Sequence, residues 1–331
     1  MITAILVICI FLVLLLFSLW LFFYLTPTPL SYVLRRSFSK DTSKPPLYFD
    51  ELQRTVSVYK NVSYPSKYKD NTMDIYLPKK IEKPLPVILW VHGGAYVGGD
   101  KKDVRYFAPS IAAMGYAVIS MNYERAPEAK YPSALLQIDE AYVFLEKSKE
   151  LYSLDIERLC LAGDSAGGQL ISQTAMMVHN ESYGTSLPFR SSIKREHLKA
   201  LLLYCSLFSI EELMNSTSSH LLRQTNRLVG WSYFDRKNWY KTPVIDETNI
   251  FKIVNEKFPP SFITDGNTFS FERQAKKFHE MLLSLGVPSE SLFFDKSQGK
   301  MLHEYQFLQD TTAGQIALEE TLLFLEKHFP A

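Results

Sequence analysis

A chain of 331 residues, 47% hydrophobic and 21% charged, is long enough to bury one large core or two small ones. Its formal net charge of +1 excludes the basic excess that a nucleic-acid partner requires. Three cysteines, Cys9, Cys160 and Cys205, make no disulfide framework, and neither metal-ligand spacing nor a glycine-rich phosphate loop is present, so no metal or cofactor is expected.

Residues 2–25 carry no charge, and the first charged residue is Arg35. As a helix rising about 1.5 Å per residue, this run covers roughly 36 Å, enough to cross about 30 Å of hydrocarbon with some tilt. A cleaved signal peptide fits less well: no Lys or Arg precedes the run, it is long for an h-region, and no A-x-A site follows. Trp20, Phe22, Phe23 and Tyr24 crowd its end, as interfacial aromatics do. Residues 1–25 are therefore expected to anchor the chain in a membrane. Residues 26–46, rich in proline and serine, read as a linker, and 47–331 as one folded domain. A chain cut near Lys44 is expected to be soluble and active. Arg35, Arg36, Lys40 and Lys44 follow the helix while no charged side chain precedes it, which by the positive-inside rule places the domain on the cytoplasmic side. Three N-x-S/T triplets, starting at Asn61, Asn180 and Asn215, speak for a lumenal domain instead.

Beyond the linker, strand-like and helix-like segments alternate. Residues 55–62 and 73–77 read as an opening antiparallel pair. Leu85–Val91 is a continuous apolar run, as befits a strand covered on both faces. A helix is expected over 106–114, a strand over 117–123 and a helix over 132–152. The elbow strand ends near Leu161, and its helix follows from about Gln169. Further strands are expected at 200–205, 260–264 and 291–294, with helices near 270–285 and 313–328. Such alternation implies parallel crossovers and an α/β fold. Residues 207–258, rich in aromatics, break it; a structureless loop that long is uncommon, and a helical cap is expected there, joined by residues near Tyr48–Leu52.

Two stretches carry chemistry. Gly163-Asp164-Ser165-Ala166-Gly167 fits the G-x-S-x-G elbow, in which a strand turns sharply into a helix and exposes a serine hydroxyl. His92-Gly93-Gly94 follows the apolar strand at Val91. Rigid amides in such a loop can hold a developing oxyanion, so Gly93 and Gly94 are candidate donors together with Ala166. Serine needs a base. Of the seven histidines, His303 lies after a late strand, where the order Ser, acid, His places it. His92 belongs to the glycine loop and reads as structural. The acid belongs after the strand at 260–264, which favours Asp265, with Glu272 as the other candidate.

His92-Gly93-Gly94, Asn122-Tyr123, Ala126-Pro127-Glu128, Tyr131-Pro132 and Gly163-Asp164-Ser165-Ala166-Gly167-Gly168 together resemble the hormone-sensitive-lipase-like branch of α/β-hydrolases. The resemblance runs from about Met73 to Phe307. It implies a mostly parallel central sheet flanked by helices, with a helical cap, here preceded by one transmembrane helix. It also implies hydrolysis of small or medium acyl esters by Ser165 and His303, with a small-molecule ester as partner. The chain departs from the family pattern at three places. Ala95 replaces the third glycine of H-G-G-G. Tyr123-Glu124-Arg125-Ala126-Pro127-Glu128 replaces Y-R-L-A-P-E. Thr268 falls where the family has the aspartate of a D-P-L turn, so an acid at Asp265 requires a reshaped loop. The anchored arrangement is similar to arylacetamide-deacetylase-like members, whose domain is lumenal, against the charge pattern here. A peptidase or amidase with the same triad, or a ligand-binding receptor on a degenerate hydrolase fold, are the alternatives. Nothing in the sequence indicates an oligomeric state.

Overall fold

A computed structural model of the chain describes residues 2–38, 43–216 and 219–331. Eight strands form one sheet: β1 (Val56–Ser63), β2 (Thr72–Pro78), β3 (Leu85–Val91), β4 (Ala117–Met121), β5 (Leu154–Asp164), β6 (Leu198–Tyr204), β7 (Ser261–Asp265) and β8 (Ser289–Phe293). Their spatial order is β1-β2-β4-β3-β5-β6-β7-β8. The β1–β2 and β2–β4 pairs are antiparallel, and every other pair is parallel.

The central strands are buried on both sides because helices cover both faces. In β3, Val87, Leu89 and Val91 enter one core and Ile88 and Trp90 the other, following the two-residue alternation of a strand. Leu159 and Leu161 of β5 repeat this against Cys160 and Ala162.

In chain order the helices are α1 (Ile2–Leu25), α2 (Thr28–Phe38), α3 (Phe49–Thr55), α4 (Ala108–Ala112), α5 (Ser133–Lys147), α6 (Lys149–Tyr152), α7 (Ala166–His179), α8 (Glu181–Ser186), α9 (Ile210–Ser216), α10 (His220–Phe234), α11 (Val244–Glu247), α12 (Ile250–Ile253), α13 (Glu272–Ser284) and α14 (Thr312–His328). Leu135 of α5, Leu170 of α7 and Phe278 of α13 fill the first core, while Ile111 of α4 and Phe324 of α14 fill the second. This is the expected α/β-hydrolase arrangement. The helix expected over 106–114 is only one turn, α4, and the other core elements match within a few residues.

Residues 5–25 of α1 have a mean hydropathy of 3.2 and none of this window is buried, so α1 is long and apolar enough to cross a membrane. The insertion between β6 and β7 carries α9 to α12, and it sits over the start of α7. Gln169 Nε2 donates to Thr248 O (3.2 Å), and the Tyr96 ring stacks on Tyr233 of α10, with centroids 4.1 Å apart.

Two expectations need correction. The stretch 26–46 is not a plain linker, because 28–38 is helical and docks on the insertion. Ser31 and Ser232, both fully buried, pair through their hydroxyls, and Lys237 Nζ donates to Tyr24 O (3.0 Å). Lys40, counted among the flanking charges, lies outside the described residues. Nor do residues near Tyr48–Leu52 join the cap. Tyr48 Oη donates to Gln309 Oε1 (2.9 Å) and Phe49 packs edge-on against Tyr106, so this segment covers the opposite core. The cause is the amphipathic pattern of α2, whose Ser31 and Arg35 lie one turn apart on the docking face.

The cut that keeps the fold intact therefore moves toward the N-terminus. A chain beginning at Thr26 is expected to melt with the full-length protein. One beginning at Lys44 uncovers Ser232 and is expected to melt at least about 3 °C lower by calorimetry.

Candidate active site

The strand register brings the sequence-predicted residues to one edge. Val91 pairs with Gly163, Asp164 with Tyr204, and Tyr204 with Thr264. Gly93, Ser165, Cys205 and Asp265 therefore follow in a row at the carboxyl ends of β3, β5, β6 and β7, where ligands bind in open α/β sheets. His303 arrives on the loop after β8.

Ser165 occupies the corner itself, with φ 51° and ψ −115°. An L-residue adopts this conformation only when its surroundings impose it. The Ser165 amide donates to Tyr204 O (2.9 Å), and its carbonyl accepts from Leu207 N (3.3 Å). A Cβ on Gly163 would come within 2.7 Å of the Gly167 carbonyl carbon, and one on Gly167 would strike the carbonyls of Val91 and His92. The close approach of strand, loop and helix at this corner requires both positions to be glycine.

Asp164 lies just behind the corner, 2% exposed. Its Oδ1 accepts from Trp90 Nε1 (2.8 Å) and its Oδ2 from the Gly93 amide (2.7 Å). Burial pushes this carboxyl well above the usual range, and the negative charge of Glu304 pushes in the same direction. The Gly93 amide, expected as an oxyanion donor, is thus engaged by the Asp164 carboxyl in this geometry. Among the described residues the amides of Gly94, Ala95 and Ala166 have no protein acceptor. Gly94 has φ +94° and Ala95 φ 52°, and Ala166 opens α7.

His92 is structural in geometry. Its Nδ1 lies 2.8 Å from Gly93 O, its ring stacks on Tyr123 at 4.4 Å, and burial lowers its pKa to about 4.

His303 and Asp265 face each other, with Nδ1 3.9 Å from Asp265 Oδ1. This exceeds a hydrogen bond, and Nδ1 is buried without a partner. Catalytic hydrogen bonds are often long in unliganded sites, and about 1 Å of ring movement closes this one. Asp265 is held by its own loop: Oδ1 accepts from Gly266 N (2.8 Å) and Oδ2 from Phe271 N (2.9 Å). That loop is stitched to the His303 loop. The amides of Asn267 and Thr268 donate to Met301 O (2.9 and 3.0 Å), and Met301 N donates back to Asn267 Oδ1 (3.0 Å). A Cβ on Gly266 would meet the Met301 carbonyl oxygen at 2.5 Å, so the stitching depends on that glycine. Thr268 thus acts through its backbone, with its hydroxyl turned to Asn267 Oδ1 (2.9 Å). Glu272 is paired with Lys276 (2.6 Å) on α13.

Sequence reasoning missed two neighbours. Glu304 Oε1 is 3.8 Å from His303 Nε2, and Cys205 Sγ accepts from Glu304 N (3.1 Å). The adjacency of Glu304 to His303 was the only available signal for the first. Cys205, Asp265 and His303 offer donor atoms within 4.8 Å of one another, the one group among the described residues close enough for a metal. Both Asp265 oxygens and Cys205 Sγ already accept backbone N–H groups there. Two hollows, of about 530 and 570 Å³, lie away from this site, one beside Phe49 and Tyr106 and one at the amino ends of β3 and β5.

Burial pulls the His303 imidazole down in pKa, but Asp265, Glu304 and Asp164 outweigh it, leaving a value above the ordinary 6.5. A histidine NMR titration is expected to show this ring with a midpoint above 6.5. Asp265→Asn removes one of the negative charges, so the midpoint is expected to fall.

A family model described as BD-FAE matches residues 73–282. An esterase of Gibberella moniliformis is 26% identical over 275 residues, 80% of this chain and 82% of its own. Hormone-sensitive lipase of Ictidomys tridecemlineatus is 35% identical over 112 residues, 34% of this chain and 14% of that protein. The solved structure of esterase B from Lactobacillus rhamnosis (HN001) has a TM-score of 0.70 at 20% identity, covering 85% of this chain and 87% of that one. It carries the likeness in fold.

Proposed function

The chain belongs to the BD-FAE family, on the hormone-sensitive-lipase-like branch of the α/β-hydrolases, and is a carboxylic ester hydrolase; we propose that it cleaves short- to medium-chain acyl esters through Ser165 and His303 while α1 anchors it in a membrane. The observation that carries this proposal is the row at the strand ends. Ser165 stands on a positive-φ corner with unoccupied amides at Gly94, Ala95 and Ala166, and a buried carboxylate stands behind the base.

In the proposed reaction His303 takes the proton of Ser165 as the hydroxyl attacks the ester carbonyl. The negative charge that forms on the carbonyl oxygen is held by the Gly94 and Ala166 amides, with Ala95 in the place first assigned to Gly93. His303 then returns the proton to the departing alcohol, and water releases the acyl group by the same steps. Asp265 keeps the ring oriented and compensates the imidazolium. A neutral hydroxyl such as that of Thr268 cannot supply this charge.

Hydrolysis of a p-nitrophenyl ester series from acetate upward is the direct test. Ser165→Ala and His303→Ala are each expected to lower kcat at least about a thousandfold. Asp265→Asn is expected to cost several hundredfold or more, roughly, and Thr268→Ala and Glu272→Gln less than about tenfold. A base must be neutral to accept a proton, so kcat/KM falls as pH drops through the raised His303 pKa, above 6.5. Equal rates in the Ser165 variant and the natural chain overturn the proposal. Cleavage of amides in preference to esters would move the substrate class to peptides or amides.

We further propose the cytoplasmic orientation, which rests on Arg35, Arg36, Lys40 and Lys44 following α1. Of the three triplets, Asn61 is engaged by Lys101 Nζ (2.8 Å) and Asn180 caps Tyr183 N (3.2 Å), while Asn215 is exposed at the end of α9. No endoglycosidase-sensitive change in gel mobility is expected. A shift abolished by Asn215→Gln would place the domain in the lumen.

A further inference from the structure

We propose that Arg35 is a positioning residue: it holds the loop that presents the oxyanion donors, and so ties that loop to the helix leaving the membrane anchor. This rests on the hydrolase reading of the 93–98 loop. The loop has little stiffness of its own, since Gly93, Gly94, Gly98 and Gly99 supply four of seven consecutive residues from 93 to 99. What orders it is a chain of hydrogen bonds. The Val97 and Gly98 amides both donate to Gly94 O (3.1 and 2.8 Å). That carbonyl and the Ala95 N–H belong to one planar peptide unit, so fixing the first aims the second. On its other side Val97 is held from outside the loop: its carbonyl accepts from Arg35 Nε (2.7 Å).

The rest of the guanidinium is committed as well. Nη2 donates to Ala126 O (2.7 Å), Nη1 to Glu128 Oε1 (2.8 Å), and Nη2 also pairs with Glu128 Oε2. The Ala126 amide donates back to Tyr96 O (2.9 Å), so Arg35 clips together two turns that already touch. A planar fork of five donors can serve four acceptor atoms at once, whereas a lysine ammonium is a point charge on a flexible stem. The same helix reaches the loop by a second route. Ser31, one turn before Arg35, is buried against Ser232, and the next residue, Tyr233, stacks on Tyr96. Both contacts originate in the segment joined directly to α1.

The test uses full-length protein in detergent micelles, with p-nitrophenyl butyrate as substrate and amide hydrogen exchange over 94–99 as a readout independent of activity. Arg35→Met is expected to lower kcat about 10- to 100-fold with KM within about threefold, and to speed exchange at least about tenfold. Arg35→Lys is expected to fall between Arg35→Met and the natural chain in both. Arg36→Met, at an exposed neighbour, removes the same juxtamembrane charge and is expected to behave like the natural chain. Unchanged kcat and unchanged exchange in Arg35→Met overturn the proposal, as does a loss confined to KM. Should Arg35→Met fail to show a cooperative melt, Arg35→Lys decides, and natural kcat with natural exchange there overturns it. If the natural chain hydrolyses no ester, the hydrolase reading fails, and exchange alone decides whether Arg35 holds the loop.

Discussion

The corner at Ser165 is the constraint on which the remaining geometry depends. A strand that must become a helix within one residue forces positive φ on the serine and brings Gly163 against Gly167 and Gly167 against the carbonyls of Val91 and His92. Asp164, turned inward at that corner, finds its two donors in Trp90 and Gly93 of the neighbouring strand and loop. A buried carboxyl is costly without partners, and satisfying this one fixes where the glycine loop runs. Serine, loop and helix start are thus mutually determined, and none can shift without disturbing the others.

From that corner the site extends along the sheet edge by register. Each of β6 and β7 ends at the level where β5 ends, so Cys205 and Asp265 are set beside Ser165 by backbone pairing alone. The His303 loop has no strand to hold it at this level, and its place is set by the stitching of Asn267 and Thr268 to Met301. The chain therefore substitutes backbone hydrogen bonds for the D-P-L turn. Asp265, three residues earlier than the family's acid, reaches the histidine side of the site. The carboxyl groups of Asp265, Glu304 and Asp164 lie round the His303 ring and raise its pKa against the effect of burial.

The insertion and α2 work on the other flank. Tyr96 against Tyr233 and Arg35 against Val97 both bear on the glycine loop from outside the sheet. The glycine loop is thus contacted by parts of the chain far away in sequence. The segment emerging from α1 is a structural member of the folded domain rather than a tether.

Much of the fold was legible because its signals are local. Leu85–Val91 is apolar throughout because both faces of the strand are covered, and Gly163 to Gly167 spell a strand-turn-helix whatever surrounds them. Residues 2–25 are apolar enough to cross a membrane by composition alone. Ser165 could be singled out by its elbow and His303 by its place after a late strand, with Asp265 preferred to Glu272 as the acid. Partners could not. The Gly93 amide goes to a carboxylate 71 positions away, Arg35 to a carbonyl 62 away, and Ser31 to a hydroxyl 201 away. Proline and serine near Arg35 suggest a linker locally, and only docking against Ser232 makes that stretch a helix with a buried face. Periodicity and turn chemistry report how a residue's backbone runs and whether it is covered. Which donor meets which acceptor depends on how the elements pack, and that is decided only when the whole chain has folded.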